Sequence, residues 1–191
     1  MTAVQQRPRV GSVEVSRTVS VEVASQFLRV YRSAFSPLER QSPARQALTD
    51  QEFLEAMGDR SVLKFVGWSR DRVTCAMAIM ATDLSVVPWI SVPFFEDRFP
   101  EHYERGAVYY FHALLVRPEH QGGPWARLLL EELTKKLGAD RAVAAFDCSD
   151  QTLAATRLPD VIAKVAGRLV HLVRVDLGRQ HYYAYSSNGF R

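Results

Sequence analysis

The sequence predicts a mixed α/β (α+β) fold, and three features point to it. Elements read from hydrophobic periodicity follow the order β-α-α-β-β-β-α-β-α-β-β. Two β-rich runs, Val62 to Trp68 and Arg72 to Met80, are joined by the short turn Ser69-Arg70-Asp71 and form an antiparallel hairpin. A nearly continuous apolar run, Ala107 to Val116, has the pattern of a strand covered on both faces, and it leads through a glycine-containing loop into a helix.

Each element has a local reason. Val10 to Arg17 is the candidate first strand. Ser20 is an N-cap, and Val23, Phe27, Val30, Tyr31 and Ala34 then share one helical face until Ser36-Pro37. Thr49 and Glu52 form a capping box for a helix from Asp50 to Met57, with Leu48 and Phe53 as its hydrophobic staple and Gly58 at its C-terminal cap. Leu84 to Gly106 carries Pro88, Pro93 and Pro100 among five aromatic residues and reads as a long aromatic loop over the core or beside a ligand. Pro124 to Leu137 is a helix with Ala126, Leu129, Leu130, Leu133 and Leu137 inward, Pro124 in its first position and Gly138 past its end. A short strand at Ala142 to Phe146, a helix at Leu158 to Gly167 and two strands, Leu169 to Leu177 and His181 to Ser186, complete the order.

A chain of 191 residues fits one domain, 1–191, that buries roughly 70% of its unfolded surface. Residues 1–9 and 187–191 are expected to be flexible ends. Apolar residues make up 47% and charged residues 24%, which excludes a disordered or collagen-like chain. No run reaches the ~18 apolar residues of a membrane span, and the start is too polar for a signal peptide, so a cytoplasmic location is expected. The net charge of +3 is spread rather than clustered, which argues against nucleic acid as a partner. Arginine far outnumbers lysine, a bias that a GC-rich genome also produces. Cys75 and Cys148 lie far apart, and the five histidines lack zinc-binding spacing, so no metal is expected.

The segment richest in chemistry runs from Val116 to Leu129. A buried strand entering a glycine loop that opens a helix directs free backbone N–H groups and the positive end of the helix dipole at one point, a good site for phosphate. From the glycines alone an ordinary strand-to-helix turn fits as well. Val116, Pro118, Gln121, Ala126, Arg127, Leu128 and Leu129 resemble the signature of the GNAT family, the GCN5-related N-acetyltransferases, and the element order is similar over nearly the whole chain. The resemblance implies a mostly antiparallel central sheet flanked by helices. It implies acetyl-CoA or another acyl-CoA as cosubstrate, with its pyrophosphate on the loop amides and its pantetheine arm along a strand that splays from its neighbour. The residues so implied are Leu115, Val116, Gln121, Gly122, Gly123, Trp125, Ala126 and Arg127. One position departs: Pro124 stands where the family pattern has glycine and removes an N–H donor.

Acyl transfer to an amine needs a neutral nucleophile, a polarised carbonyl and a proton for the leaving thiolate. A backbone N–H near Leu115 or Val116 can polarise the carbonyl. Where family members often carry a glutamate, this chain has Tyr110, with His112 two residues on and on the same face. His112 is a candidate base, and a hydrogen-bonded core histidine is its other reading. Glu101, His102 and Glu104 are alternatives acting through water. The helix at Leu158 to Gly167 lacks the tyrosine that often serves as acid, leaving Tyr183 or Tyr185 as substitutes. Cys148 reads as an inert thiol. The acceptor is a small-molecule or peptide amine, with an apolar body suggested by the aromatic loop, and a homodimer is left open. A non-catalytic binder of acyl-CoA or of an acyl-carrier-protein thioester is the competing function, and a purely structural partner protein is a third.

Overall fold

The computed structural model describes residues 10–40, 42–45, 47–183 and 187. Expectations for 1–9, 188–191 and Tyr185 fall outside those residues. Five strands form one sheet in sequence order: β1 (Val10–Ser16), β2 (Val62–Ser69), β3 (Thr74–Ala81), β4 (Val108–Val116) and β5 (Val143–Ala145). The first four pair antiparallel, and β5 pairs parallel to β4. β3 is buried along its whole length, because both faces of the sheet are covered.

Helices α1 (Val21–Phe35) and α2 (Asp50–Gly58) cover one face, where Phe27, Tyr31 and Phe53 pack on Val66, Ile79 and Leu115. Ser20 Oγ caps α1 through the Val23 amide, and the Thr49–Glu52 capping box of α2 is complete. The opposite face is covered by α5 (Trp125–Asp140), whose Leu129, Leu130 and Leu133 meet Phe65, Ala78 and Met80. Trp125 lies in this core at 3% exposure, with its ring where a Gly67 side chain would be: a Cβ there would meet Trp125 Cε3 at 2.8 Å. Lys64 is fully buried, and its ammonium donates to the carbonyls of Arg17, Asp59 and Val62 at 2.7–2.9 Å. Desolvation draws its pKa down to about 8, and the three carbonyls tie both turns at that end of β2 together.

Four expectations change. The segment Leu84 to Gly106 is largely helical, with a 3-10 turn at Leu84–Val86 followed by α3 (Val92–Arg98) and α4 (Pro100–Glu104); Pro93 and Pro100 stand in first turns of helices, where a missing N–H costs nothing, and Pro88 lies in a turn. Helix α5 starts at Trp125 with Pro124 as N-cap and runs through Gly138 to a left-handed cap at Arg141. Gly138 is there because a Cβ would meet Val170 Cγ1 at 2.9 Å, a close approach rather than a helix end. Helix α6 (Asp150–Thr156), capped by Ser149, precedes α7 (Leu158–Ala166) and was not legible from periodicity. Finally, Leu169 to Tyr183 forms no strand despite its β-rich pattern, and Leu172, Val173 and Val175 stay exposed. Pattern alone cannot form a strand without a partner edge, and β5 offers three residues.

Candidate active site

Strand β4 carries the site. On one edge it pairs with β3 over its length, but the register steps from Ile79–Ala113 to Met80–Phe111, which makes His112 an extra residue in a β-bulge. On the other edge the pairing with β5 covers only Val108, Tyr109 and Tyr110. Beyond Tyr110 no described strand continues beside β4, so those of its N–H and C=O groups between Phe111 and Val116 that point away from β3 have no strand partner among the described residues. The sequence expectation that Tyr110 and His112 share a face holds, with their rings 5.6 Å apart.

Tyr110 is buried and held at both ends of its hydroxyl. It donates to Asp147 just past β5, and Trp89 Nε1 donates to it at 3.2 Å. Burial first, and the Asp147 charge second, push its pKa well up, so the phenol keeps its proton. His112 sits edge-on to Trp89 at 5.6 Å, and neither of its buried ring nitrogens has a hydrogen-bond partner. Desolvation alone pushes its pKa down to about 4, so the imidazole is neutral at physiological pH. An unpartnered buried imidazole costs free energy in a fold that gains nothing from it, which sets His112 apart from a satisfied core histidine.

Two cavities open on this face of β4. The smaller, about 250 Å³, lies between α2, the start of β2 and the bulge; His112, Glu52, Glu55 and Asp59 line it together with Leu48, Val62 and Pro88. The larger, about 530 Å³, lies at the end of β4 against α1, where Arg29 and Ser33 face Leu115, Val116, Arg117 and Gln121. Arg117 ties the following loop to β3 by donating to the Thr74 carbonyl at 2.9 Å, and it pairs with Glu119 at 2.6 Å.

The loop itself is a series of tight turns. His120 N donates to Arg117 O and Gly123 N to His120 O, so the Gly123 amide, expected as a ligand donor, is already used. Gly122 adopts φ +71°, which glycine reaches without strain. The first internal bond of α5 is Leu128 N to Pro124 O, and the amides of Trp125, Ala126 and Arg127 are the donors that every helix start leaves open. Pro124 as N-cap therefore takes no donor from that first turn. Gln121 folds back on the Val116 carbonyl, and Arg127 pairs with Glu131.

The remaining candidates lie elsewhere. Tyr183 is 80% exposed outside regular structure, and Glu101, His102 and Glu104 lie on α4; none of them lines either cavity. Burial raises the pKa of Cys148, as expected for an inert thiol. Among the described residues no cluster of His, Cys, Asp or Glu is arranged to hold a metal ion, and no helix is long and apolar enough to cross a membrane.

No family model and no curated protein sequence matches the chain. Solved structures do. An aminoglycoside 6'-N-acetyltransferase from Acinetobacter baumannii is similar at TM-score 0.51 and 12% identity over 92% of this chain and 99% of that one. A ribosomal-protein-alanine N-acetyltransferase from Brucella melitensis is similar at TM-score 0.50 and 13% identity over 90% of this chain and 100% of that one. A mutant protein from Bacillus halodurans reaches TM-score 0.51 at 16% identity, over 89% of this chain and 100% of that one. The fold is that of the GNAT acetyltransferases. Within the GNAT fold, the short β5 leaves open the strand edge that the sequence resemblance implied. Sequence reading had Trp89 only as one of the five aromatic residues of the loop, and it missed Asp147, Arg29 and the three carboxylates of the smaller cavity. Each reaches the site from another element, and of those missed as site residues the capping box had singled out one, Glu52, for a structural reason.

Proposed function

We propose that this chain transfers an acyl group from acetyl-CoA or another acyl-CoA to a primary amine by direct attack in a ternary complex. The observation that carries the reading is the unpaired edge of β4 from Phe111 to Val116, which runs straight into the turns and the open first-turn amides of α5. An extended acyl-pantetheine arm finds main-chain partners on such an edge, as an added strand does. The pyrophosphate finds the amides of Trp125, Ala126 and Arg127 and the positive end of α5, with Gly122 leaving the approach open. Arg29 supplies positive charge in the adjoining cavity, where Arg117 is paired with Glu119. These residues fit a CoA thioester, which supplies the activated acyl group.

The chain's own part is electrostatic and positional. An edge N–H near Leu115 or Val116 donates to the thioester oxygen as charge builds there. Neutral His112, facing the cavity beside the bulge, accepts a hydrogen bond from the incoming amine and takes its proton, which grows acidic as the C–N bond forms. Tyr110 positions Asp147 and Trp89 at the point where β4 and β5 part.

The test joins binding to turnover. A ligand at about 100 times its Kd adds roughly 2.7 kcal/mol to the folded state. Acetyl-CoA in that excess is expected to raise Tm by about 5 to 11 °C, and free CoA similarly. Thiol release with an amine present completes the test. A melting curve unmoved by millimolar acetyl-CoA and CoA overturns the reading, and a shift without thiol release for any amine leaves the non-catalytic binder.

A further inference from the structure

The smaller cavity is asymmetric in a way that selects among amines. One end is dry: the ring nitrogens of His112 are buried without partners beside the rings of Trp89 and Tyr110. The other end is acidic, with Glu52, Glu55 and Asp59 contributed by α2 and the turn after it. Leu48, Val62 and Pro88 add an apolar wall.

The three carboxylates are not equally occupied. Glu52 accepts from Thr49 and pairs with Arg45, and Asp59 accepts from Ser61 N and Oγ at 2.8 and 2.7 Å, with the Lys64 charge nearby. Glu55 accepts at 2.8 Å from Gln51, a neutral amide. A carboxylate has about four lone-pair sites, so Glu55 keeps the capacity to bind a cation.

A plain monoamine is poorly served by such a cavity. The carboxylates hold its ammonium form, yet only the neutral form attacks a thioester. The dry end that keeps His112 uncharged disfavours an ammonium as well. A molecule with two amines meets both demands: one stays charged at the acidic end, and the other sheds its proton at the dry end. With a volume of about 250 Å³ the cavity lies just below the ~300 to 1,000 Å³ of drug-sized sites, which fits a short chain.

We propose that the acceptor is a short α,ω-alkyl diamine whose distal ammonium docks on Glu55, between Glu52 and Asp59, while its near amine reacts beside His112. The inference rests on the acyltransferase reading. In the step, the near nitrogen's lone pair forms the C–N bond to the acyl carbon and the C–S bond breaks. The nitrogen's proton passes to His112 and on to water, and the thiolate takes a proton from water. The products are an N-acyl diamine, still singly charged, and free CoA.

The experiment compares 1,5-diaminopentane with pentylamine, matched in chain length, by thiol release from acetyl-CoA. The expected kcat/KM ratio is about tenfold or more in favour of the diamine, the scale of a hydrogen bond to a charged group. Glu55→Gln, which keeps shape and can still bond Gln51, is expected to bring that ratio close to one with Tm unchanged. A ratio near one in the unaltered protein, or a ratio that Glu55→Gln leaves intact, overturns the proposal. If acetyl-CoA shifts Tm but no amine releases thiol, the acyl-transfer reading has failed by itself, and titration calorimetry then decides the cavity. Binding of 1,5-diaminopentane that Glu55→Gln removes sustains the diamine site; no binding to the unaltered protein overturns it.

Discussion

Two cavities a few residues apart on one face of β4 differ in the sign of their lining. At the bulge, three carboxylates share a cavity with a neutral histidine; at the strand's end, Arg29 and the Arg117–Glu119 pair stand beside a loop that opens a helix. On the proposed reading each suits one reactant, a cationic amine and an anionic thioester, and the two would meet at the open edge of β4 between them. The contrast shows how a chain with a net charge of only +3 can still present strong local fields, because what matters is which charges the fold gathers.

The largest expected effect strikes the dry end. His112 has a folded pKa of about 4 against an unfolded value near 6.5, so the unfolded chain binds more protons between those values. Stability is therefore full above pH 6.5 and falls as pH drops toward 4, by about 3 kcal/mol from this residue. His112→Gln is expected to flatten that part of the curve of denaturant stability against pH; an unchanged slope would place the titrating group elsewhere.

Next in size is turnover. His112→Ala is expected to lower kcat by roughly 10²-fold, the lower range for losing a proton acceptor, while the Kd for CoA stays put. Equal losses in both would merge the two cavities into a single functional unit.

At the other end, Arg29→Ala is expected to weaken CoA by about tenfold in calorimetry without altering the diamine preference. Ala126→Leu is expected to weaken CoA as well, by crowding the first turn of α5. The smallest effect is that of Pro124→Gly. Because Pro124 is an N-cap outside the open first turn, the variant should bind CoA equally or slightly more tightly. Marked loss of affinity with the fold intact would show that the proline holds the loop in its binding form.

Much of the scaffold was legible because its signals are local. The capping box at Thr49, the cap at Ser20 and the hairpin around Ser69-Arg70-Asp71 depend on residues a few positions apart, and each stands as expected. The pattern of Ala107 to Val116 announced a strand buried on both faces, and the loop after it announced a helix start. Of the site, Tyr110 and His112 were legible together because alternation along a strand fixes their common face.

The same rules misread the C-terminal segment. Leu169 to Leu177 has the composition of a strand, but a strand is a relation between two edges, and composition reports one. Gly138 misled in the opposite way, since its role is to admit Val170 rather than to end a helix.

The sequence by itself determined the strand order and helices α1, α2 and α5, the caps, the buried strand and the loop that opens α5, since each follows from periodicity or from hydrogen bonds closed within one turn of chain. Helices α3 and α4 instead lie in a segment that reads as a loop. Only the tertiary structure decided that β5 stops after three residues and leaves β4 open. The same packing made His112 the extra residue of a bulge, joined Trp89 and Asp147 to Tyr110, and brought Glu55 into the cavity that His112's ring lines. Those features join residues from some 20 to 60 positions apart, and the physical reason is that register, desolvation and charge proximity arise from packing between elements, on which local sequence carries no signal.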